Sequence, residues 1–163
     1  MRIYLIGMPG SGKTTIGKRL SFKLGIPFID LDQKIEEEKG MFIEDIFENY
    51  GEDVFRSVET EVLSAIKTSP AVISTGGGIV TQKRNKVLMD GFKVYIDVPI
   101  EILKKRLEKS HQRPLLKTTP LEEIYDKRFL KYQDFADMIV RNHDSIEKCV
   151  DDIIEAYKGW AKK

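Results

Sequence analysis

The chain alternates between short apolar runs and longer stretches where apolar residues recur every three or four positions. Ile3-Tyr4-Leu5-Ile6 is the first run and predicts a buried strand. Ile16, Leu20 and Leu24 follow at helical spacing, and Gly25 closes that helix. Ile26-Pro27-Phe28-Ile29-Asp30 predicts a second strand, Ala71-Val72-Ile73-Ser74 a third, residues 92–97 a fourth and Met138-Ile139-Val140 a fifth. Between the second and third strands lie a charged helix over 35–39, broken by Gly40, and a helical face of Ile43, Ile46, Phe47 and Tyr50, ended by Gly51. Phe55, Val58, Val62 and Ile66 mark the helix after it. Residues 79–90 read as one helix stopped by Gly91, and Pro99 opens a helix carrying Ile102, Leu103 and Leu107. Residues 109–119 are a polar, basic loop, and 121 to about 132 are helical. Asp144, with Glu147 three positions on, predicts the start of a last helix with Ile146, Val150, Ile153 and Tyr157 inside.

Strand and helix therefore alternate, which predicts an α/β protein. A central, mostly five-stranded parallel sheet lies between two helical layers, in a single domain over 1–163. No repeat, low-complexity tract or linker interrupts it. Ligands of such folds bind beyond the carboxyl ends of the strands. Gly7, Asp30, Asp32 and Gly76-Gly77-Gly78 all fall at such ends and are expected to converge.

The first of those ends carries the most specific signal. Gly7-Met8-Pro9-Gly10-Ser11-Gly12-Lys13-Thr14 fits the phosphate-binding pattern G-x-x-x-x-G-K-[ST], in its required place between strand and helix. Glycines let backbone N–H groups curl around a phosphate, and the helix start adds unpaired N–H groups and a positive dipole end. Lys13 would reach the β- and γ-phosphates, and the Thr14 hydroxyl would ligate Mg2+. The plain alternative is a glycine-rich turn.

The other candidates each have two readings. Asp30 and Asp32 fit a water-mediated Mg2+ contact plus a carboxylate on an acceptor hydroxyl, and equally fit helix capping. Arg56 and Glu59 share a helix face, where Glu59 could hold Arg56 ready to fork onto a carboxylate. Spacing alone favours an ordinary surface ion pair. The Gly76–78 triplet suits close backbone approach to a ligand, or a strand-ending turn. Arg113, in a loop before Pro114, suits a lid closing on a transferring phosphoryl group; the neighbouring Lys104, Lys105, Lys109 and Lys117 suit a solvated face. Spacing does not decide whether Arg128 is a second carboxylate ligand or a surface charge. Ser74 stands where a metal-associated polar residue is found in such loops' partners. His111 and His143 fit no metal pattern.

Composition narrows the class. Hydrophobic residues make 41% and charged residues 33% of the chain, as in a soluble globular protein, and a net charge of +1 argues against a dedicated nucleic-acid binder. The single cysteine, Cys149, excludes an internal disulfide and reads as a small core residue. No apolar run approaches a membrane span, and Met1-Arg2-Ile3 leads straight into the first strand, so a cytoplasmic protein is expected. A guanine-binding N-K-x-D is missing at Asn85-Lys86-Val87-Leu88, which argues against a GTPase switch.

Taken in order, the P-loop, Asp30-Leu31-Asp32, Phe55-Arg56-Ser57-Val58-Glu59, Gly76-Gly77-Gly78, Arg113-Pro114-Leu115-Leu116 and Arg128 with Tyr132 resemble the shikimate kinase family, from residue 3 to about 140. The resemblance implies a P-loop kinase fold with an acceptor-binding segment at about 31–62 and a lid at about 109–119. It implies MgATP-dependent phosphorylation of the 3-hydroxyl of shikimate, with ATP as co-substrate and one Mg2+ per subunit. Gly10, Ser11, Gly12, Lys13, Thr14 and Thr15 would hold the nucleotide, Arg106 would stack on adenine, and Arg113 would close onto the phosphates. Thr14 and Asp30 would serve the metal. Arg56, Arg128, Asp32, Gly77 and Gly78 would bind shikimate, with Glu59 orienting Arg56, Asp32 the candidate base, and Phe47, Phe55 and Pro114 lining the pocket. Lys13, Asp32 and Arg113 would be the catalytic set. A monomer without nucleic-acid or membrane partners is implied. The residue facing Arg106 is left between Arg141 and Asn142. A gluconate kinase or nucleoside monophosphate kinase of the same fold is the nearest rival.

Overall fold

The computed structural model describes residues 1–108, 120–142 and 145–163. Five parallel strands form one sheet in the order β2-β3-β1-β4-β5. These are β1 (Arg2–Ile6), β2 (Phe28–Asp30), β3 (Ala71–Ser74), β4 (Phe92–Asp97) and β5 (Met138–Arg141). The helices among the described residues are α1 (Lys13–Leu24), α2 (Leu31–Lys39), α3 (Ile43–Ala65), α4 (Arg84–Leu88), α5 (Ile100–Leu107), α6 (Leu121–Phe135) and α7 (Ile146–Ala161). Every residue of 3–6 and 71–74 is buried, so the sheet's centre is covered on both faces, as unbroken apolar strands require. All five expected strands are present. Among the described residues no helix is long and apolar enough to cross a membrane.

Three local expectations need adjusting. Residues 79–90 are not one helix: a 3-10 turn over Ile79–Thr81 is cut off from α4 by Gln82, which is extended at φ −107°, ψ 106°. The two helices expected on either side of Gly51 run on as α3, with a kink where Gly51 takes φ 85°. The last helix is capped by Ser145, whose hydroxyl accepts from Lys148 N at 3.2 Å. Asp144, expected in that role, lies outside the described residues. Cys149 is buried on α7, with its thiol 3.2 Å from the Arg141 carbonyl.

Candidate active site

The loop after β1 is shaped by backbone that L side chains resist. Gly10 and Gly12 have φ of 82° and 96°, and a Cβ on Gly12 would lie 2.5 Å from Asn142 Nδ2. The loop curls over the start of α1. Lys13, almost buried, folds back so that Nζ donates to the carbonyls of Gly7 at 2.7 Å and Met8 at 2.9 Å. Two side chains brace the outside. Arg106 Nη1 donates to Gly10 O at 2.9 Å, and Asn142 Nδ2 to Ser11 O at 3.0 Å. Ser11 Oγ is fully buried and has no hydrogen-bond partner among the described residues. A loop with an unanswered hydroxyl, positive-φ glycines and a helix dipole behind it is a cradle for an anion. Thr14 and Thr15 stand exposed at its rim and line the same cavity.

The β2 end divides the two aspartates. Asp30, its last residue, caps α2: Oδ1 accepts from Asp32 N at 3.0 Å and Gln33 N at 3.4 Å. Asp32 sits in the first turn of α2, beside Gly76, where an added Cβ would lie 2.9 Å from Asp32 Oδ1 and 3.0 Å from Glu59 Oε2. The capping reading of Asp30 is thus realised, while both carboxylates still line the cavity.

Arg56 and Glu59 are not the surface pair that spacing favours. Arg56 is 6% exposed and Glu59 is 0% exposed, with Nη1 donating to Oε1 at 2.9 Å. Glu52, one turn earlier, accepts from Arg56 Nη2 at 3.2 Å from the solvent side. The guanidinium lies 5.1 Å from the Phe55 ring centroid and 6.0 Å from that of Phe47. It fills the space over Gly78, where any Cβ would overlap it. Arg56 Nε and Glu59 Oε2 are buried without a hydrogen-bond partner among the described residues, so the pair leaves donor and acceptor capacity inside the protein. Arg128, 6% exposed on α6, reaches the same place: its Nη1 would be 3.2 Å from a Cβ on Gly77.

One cavity of about 830 Å³ is lined by both halves, from Gly10–Thr15 and Arg106 to Asp32, Arg56, Glu59, Gly76–Gly78 and Arg128, with Ser74 also in its lining. Asn142 also lines it, buried against the loop, whereas Arg141 is exposed and pairs along β5, so Asn142 is the residue on that side. Arg113, Pro114 and the expected lid lie outside the described residues. Glu52 and Asn85 were not singled out for this site. Glu52 was within reach of the helical i, i+4 rule; Asn85, whose amide holds Ile79 O at 2.8 Å beneath the glycine triplet, leaves no sequence signal.

Burial pushes the Glu59 carboxyl up to about 7, against the pull of Arg56. A raised pKa means that the fold favours the protonated acid. Its contribution is complete below the unfolded value of about 4.5 and is lost as pH rises through about 7. Between pH 5 and 8 the wild type should therefore lose stability relative to Glu59→Gln, by a total on the order of 3 kcal/mol. Urea unfolding of both proteins across that range checks this, and a pH-independent difference would contradict it.

The comparisons with known proteins bear on this arrangement. The sequence model of the shikimate kinase family matches residues 9–158. The chain belongs to the shikimate kinase family. Among its shikimate kinase relatives, that of Aquifex aeolicus (strain VF5) is 41% identical over 99% of this chain and 98% of its own. The shikimate kinase of Clostridium botulinum (strain Okra / Type B1) is 44% identical over 97% of this chain and 96% of its own. In three dimensions the chain is similar to the shikimate kinase from Acinetobacter baumannii solved in complex with shikimate, with a TM-score of 0.91 and 32% identity, covering 99% of this chain and 95% of that one. The P-loop kinase fold of shikimate kinases is therefore the fold of this chain.

Proposed function

We propose that this chain transfers the γ-phosphate of MgATP to the 3-hydroxyl of shikimate, giving shikimate 3-phosphate and ADP, as a cytoplasmic monomer. One observation carries the reading. Two almost buried arginines, Arg56 and Arg128, meet over a glycine triplet in the same cavity as the phosphate loop. Planar guanidinium groups suit a carboxylate, and backbone N–H groups suit hydroxyls. A small hydroxy acid is what such a half-site would select.

Position in the cavity and the family resemblance together support the following roles. Lys13 Nζ moves from the loop carbonyls onto the β- and γ-phosphates, which Gly10, Ser11, Gly12, Thr14 and Thr15 also hold. Arg106 and Asn142 stand on the adenine side. Arg56 and Arg128 grip the carboxylate, with Glu59 fixing the Arg56 pose. Gly77, Gly78 and Asp32 take the hydroxyls. Asp32 accepts the hydrogen bond of the attacking hydroxyl and receives its proton late, because a loose transition state asks little of a base early. Arg113, outside the described residues, is assigned to the transferring group by the family resemblance alone.

Mg2+ fits the donor set. The Thr14 hydroxyl and the Asp30 carboxylate are hard oxygen donors lining the cavity. Among the described residues no cluster of three or more His, Cys, Asp or Glu side chains makes a dedicated cage, which suits an ion held mainly by nucleotide phosphates. When bound, the ion neutralises charge that develops on the phosphates.

ADP release measured with shikimate, gluconate, AMP or no acceptor tests the reading. Turnover is expected with shikimate. Turnover with AMP or gluconate instead would replace it by the rival kinases, and acceptor-independent hydrolysis alone would favour a nucleotide switch.

A further inference from the structure

The carbonyls of the glycine triplet are all engaged within the protein. Gly76 O accepts from Ile79 N at 3.2 Å, and Gly78 O accepts from Thr81 N at 3.0 Å and Thr81 Oγ1 at 2.7 Å. Those bonds are local and come from the 3-10 turn that follows. The third is not local. Gly77 O accepts from the Tyr132 hydroxyl, 55 residues away on α6, at 2.5 Å. The peptide between Gly77 and Gly78 is trans, so its carbonyl and its N–H point in opposite directions. Whatever holds Gly77 O on one side therefore aims Gly78 N–H to the other. The triplet lines the cavity, and an added Cβ on Gly77 would lie 2.8 Å from Pro9 Cδ of the phosphate loop.

Tyr132 is well suited to hold a peptide still. It is 0% exposed, and its ring stacks on Tyr95 with centroids 4.9 Å apart. Burial pushes its hydroxyl up to about 12, so it stays a donor throughout the working range. Arg128 lies one helical turn earlier on the same face, with its guanidinium beside the hydroxyl. Packing needs only the ring; a phenylalanine would stack equally well. The oxygen is explained by its partner.

We propose that Tyr132 is the positioning residue of the acceptor half-site: its hydroxyl holds the Gly77 carbonyl so that Gly78 N–H faces an acceptor hydroxyl, and it sets the pose of Arg128. This rests on the acceptor reading above. A buried phenol on α6 thereby fixes two acceptor contacts that come from different parts of the chain, with no contact to the acceptor itself.

The test is Tyr132→Phe, which keeps the ring and removes one oxygen. The expected result is a rise in the dissociation constant and a fall in kcat/KM for shikimate of about 10- to 100-fold, with KM for ATP changed less than about 3-fold. For a deoxy analogue lacking the hydroxyl that Gly78 serves, the gap in affinity between wild type and variant should narrow to the part that Arg128 supplies. A lower melting temperature with unchanged shikimate affinity would overturn the proposal, since that is all a structural tyrosine does. Wild-type protein supplies an independent measure if the variant fails to fold. Its Gly78 amide proton should shift when shikimate is added with ADP present, and an unmoved resonance would overturn the proposal. Failure of the acceptor reading looks different: shikimate then gives no ADP release with the wild type.

Discussion

Lys13→Ala should lower the phosphoryl-transfer rate by at least about 10³-fold while the melting temperature stays within about 5 °C of wild type. The side chain is 9% exposed and its Nζ already spans the loop, on Gly7 O and Met8 O. Those two carbonyls hold the ammonium where phosphate oxygens would replace them, so the charge is in place before the nucleotide arrives. Phosphoryl transfer leaves the protein little covalent chemistry to do, and most of its contribution is positioning and charge stabilisation. Removing the ammonium tucked into the loop removes a large share of that. The fold has less to lose: the core is a cluster of apolar side chains from the strands and the helices packed on them, and Lys13 is not one of its members. Single-turnover transfer with saturating substrates and a thermal melt measure the two quantities. A rate within 10-fold of wild type would remove Lys13 from the mechanism.

Arg56→Ala should damage function and fold together. The guanidinium satisfies Glu59 Oε1 at 2.9 Å, and Glu59 is 0% exposed. Its loss leaves a buried carboxylate without its partner, at a cost of about 3–5 kcal/mol unless the acid takes up a proton. The Glu59 carboxyl, already raised to about 7, should rise further and do so. Acceptor kcat/KM should fall by about 10³-fold or more, as one arm of the carboxylate clamp is gone. Combining Arg56→Ala with Glu59→Gln separates the effects: stability should return in part, acceptor binding not at all. Near-normal kcat/KM for shikimate in Arg56→Ala would refute the clamp.

That pair also shows what the sequence carries and what it does not. The five strands and the glycine loop are local events, written in apolar runs and in residues of special backbone freedom; Gly51 was legible as a break, though it kinks α3 instead of ending it. They are legible because short windows determine them. An Arg and a Glu three apart on a helix read the same at the surface and in the core. What buries this pair is the glycine triplet, whose missing Cβ atoms leave room for the guanidinium, with Phe47 and Phe55 beside it. Asn142 meets the loop across 131 residues and Tyr132 meets Gly77 across 55, distances at which periodicity is silent. The Ser145 cap was misread by one position because Asp and Ser cap equally well. Residues 79–90 misled through apolar content, which does not register that Gln82 is extended. Asp30 takes its capping reading through Oδ1, and its carboxylate also lines the cavity.

The account turns on where the phosphate goes. Wild-type protein incubated with ATP, Mg2+ and shikimate and followed by 31P NMR answers this directly. The predicted result is a phosphate monoester resonance, correlated to the proton on carbon 3 of shikimate and growing in step with ADP. Inorganic phosphate alone, or an ester on any other hydroxyl, would contradict it.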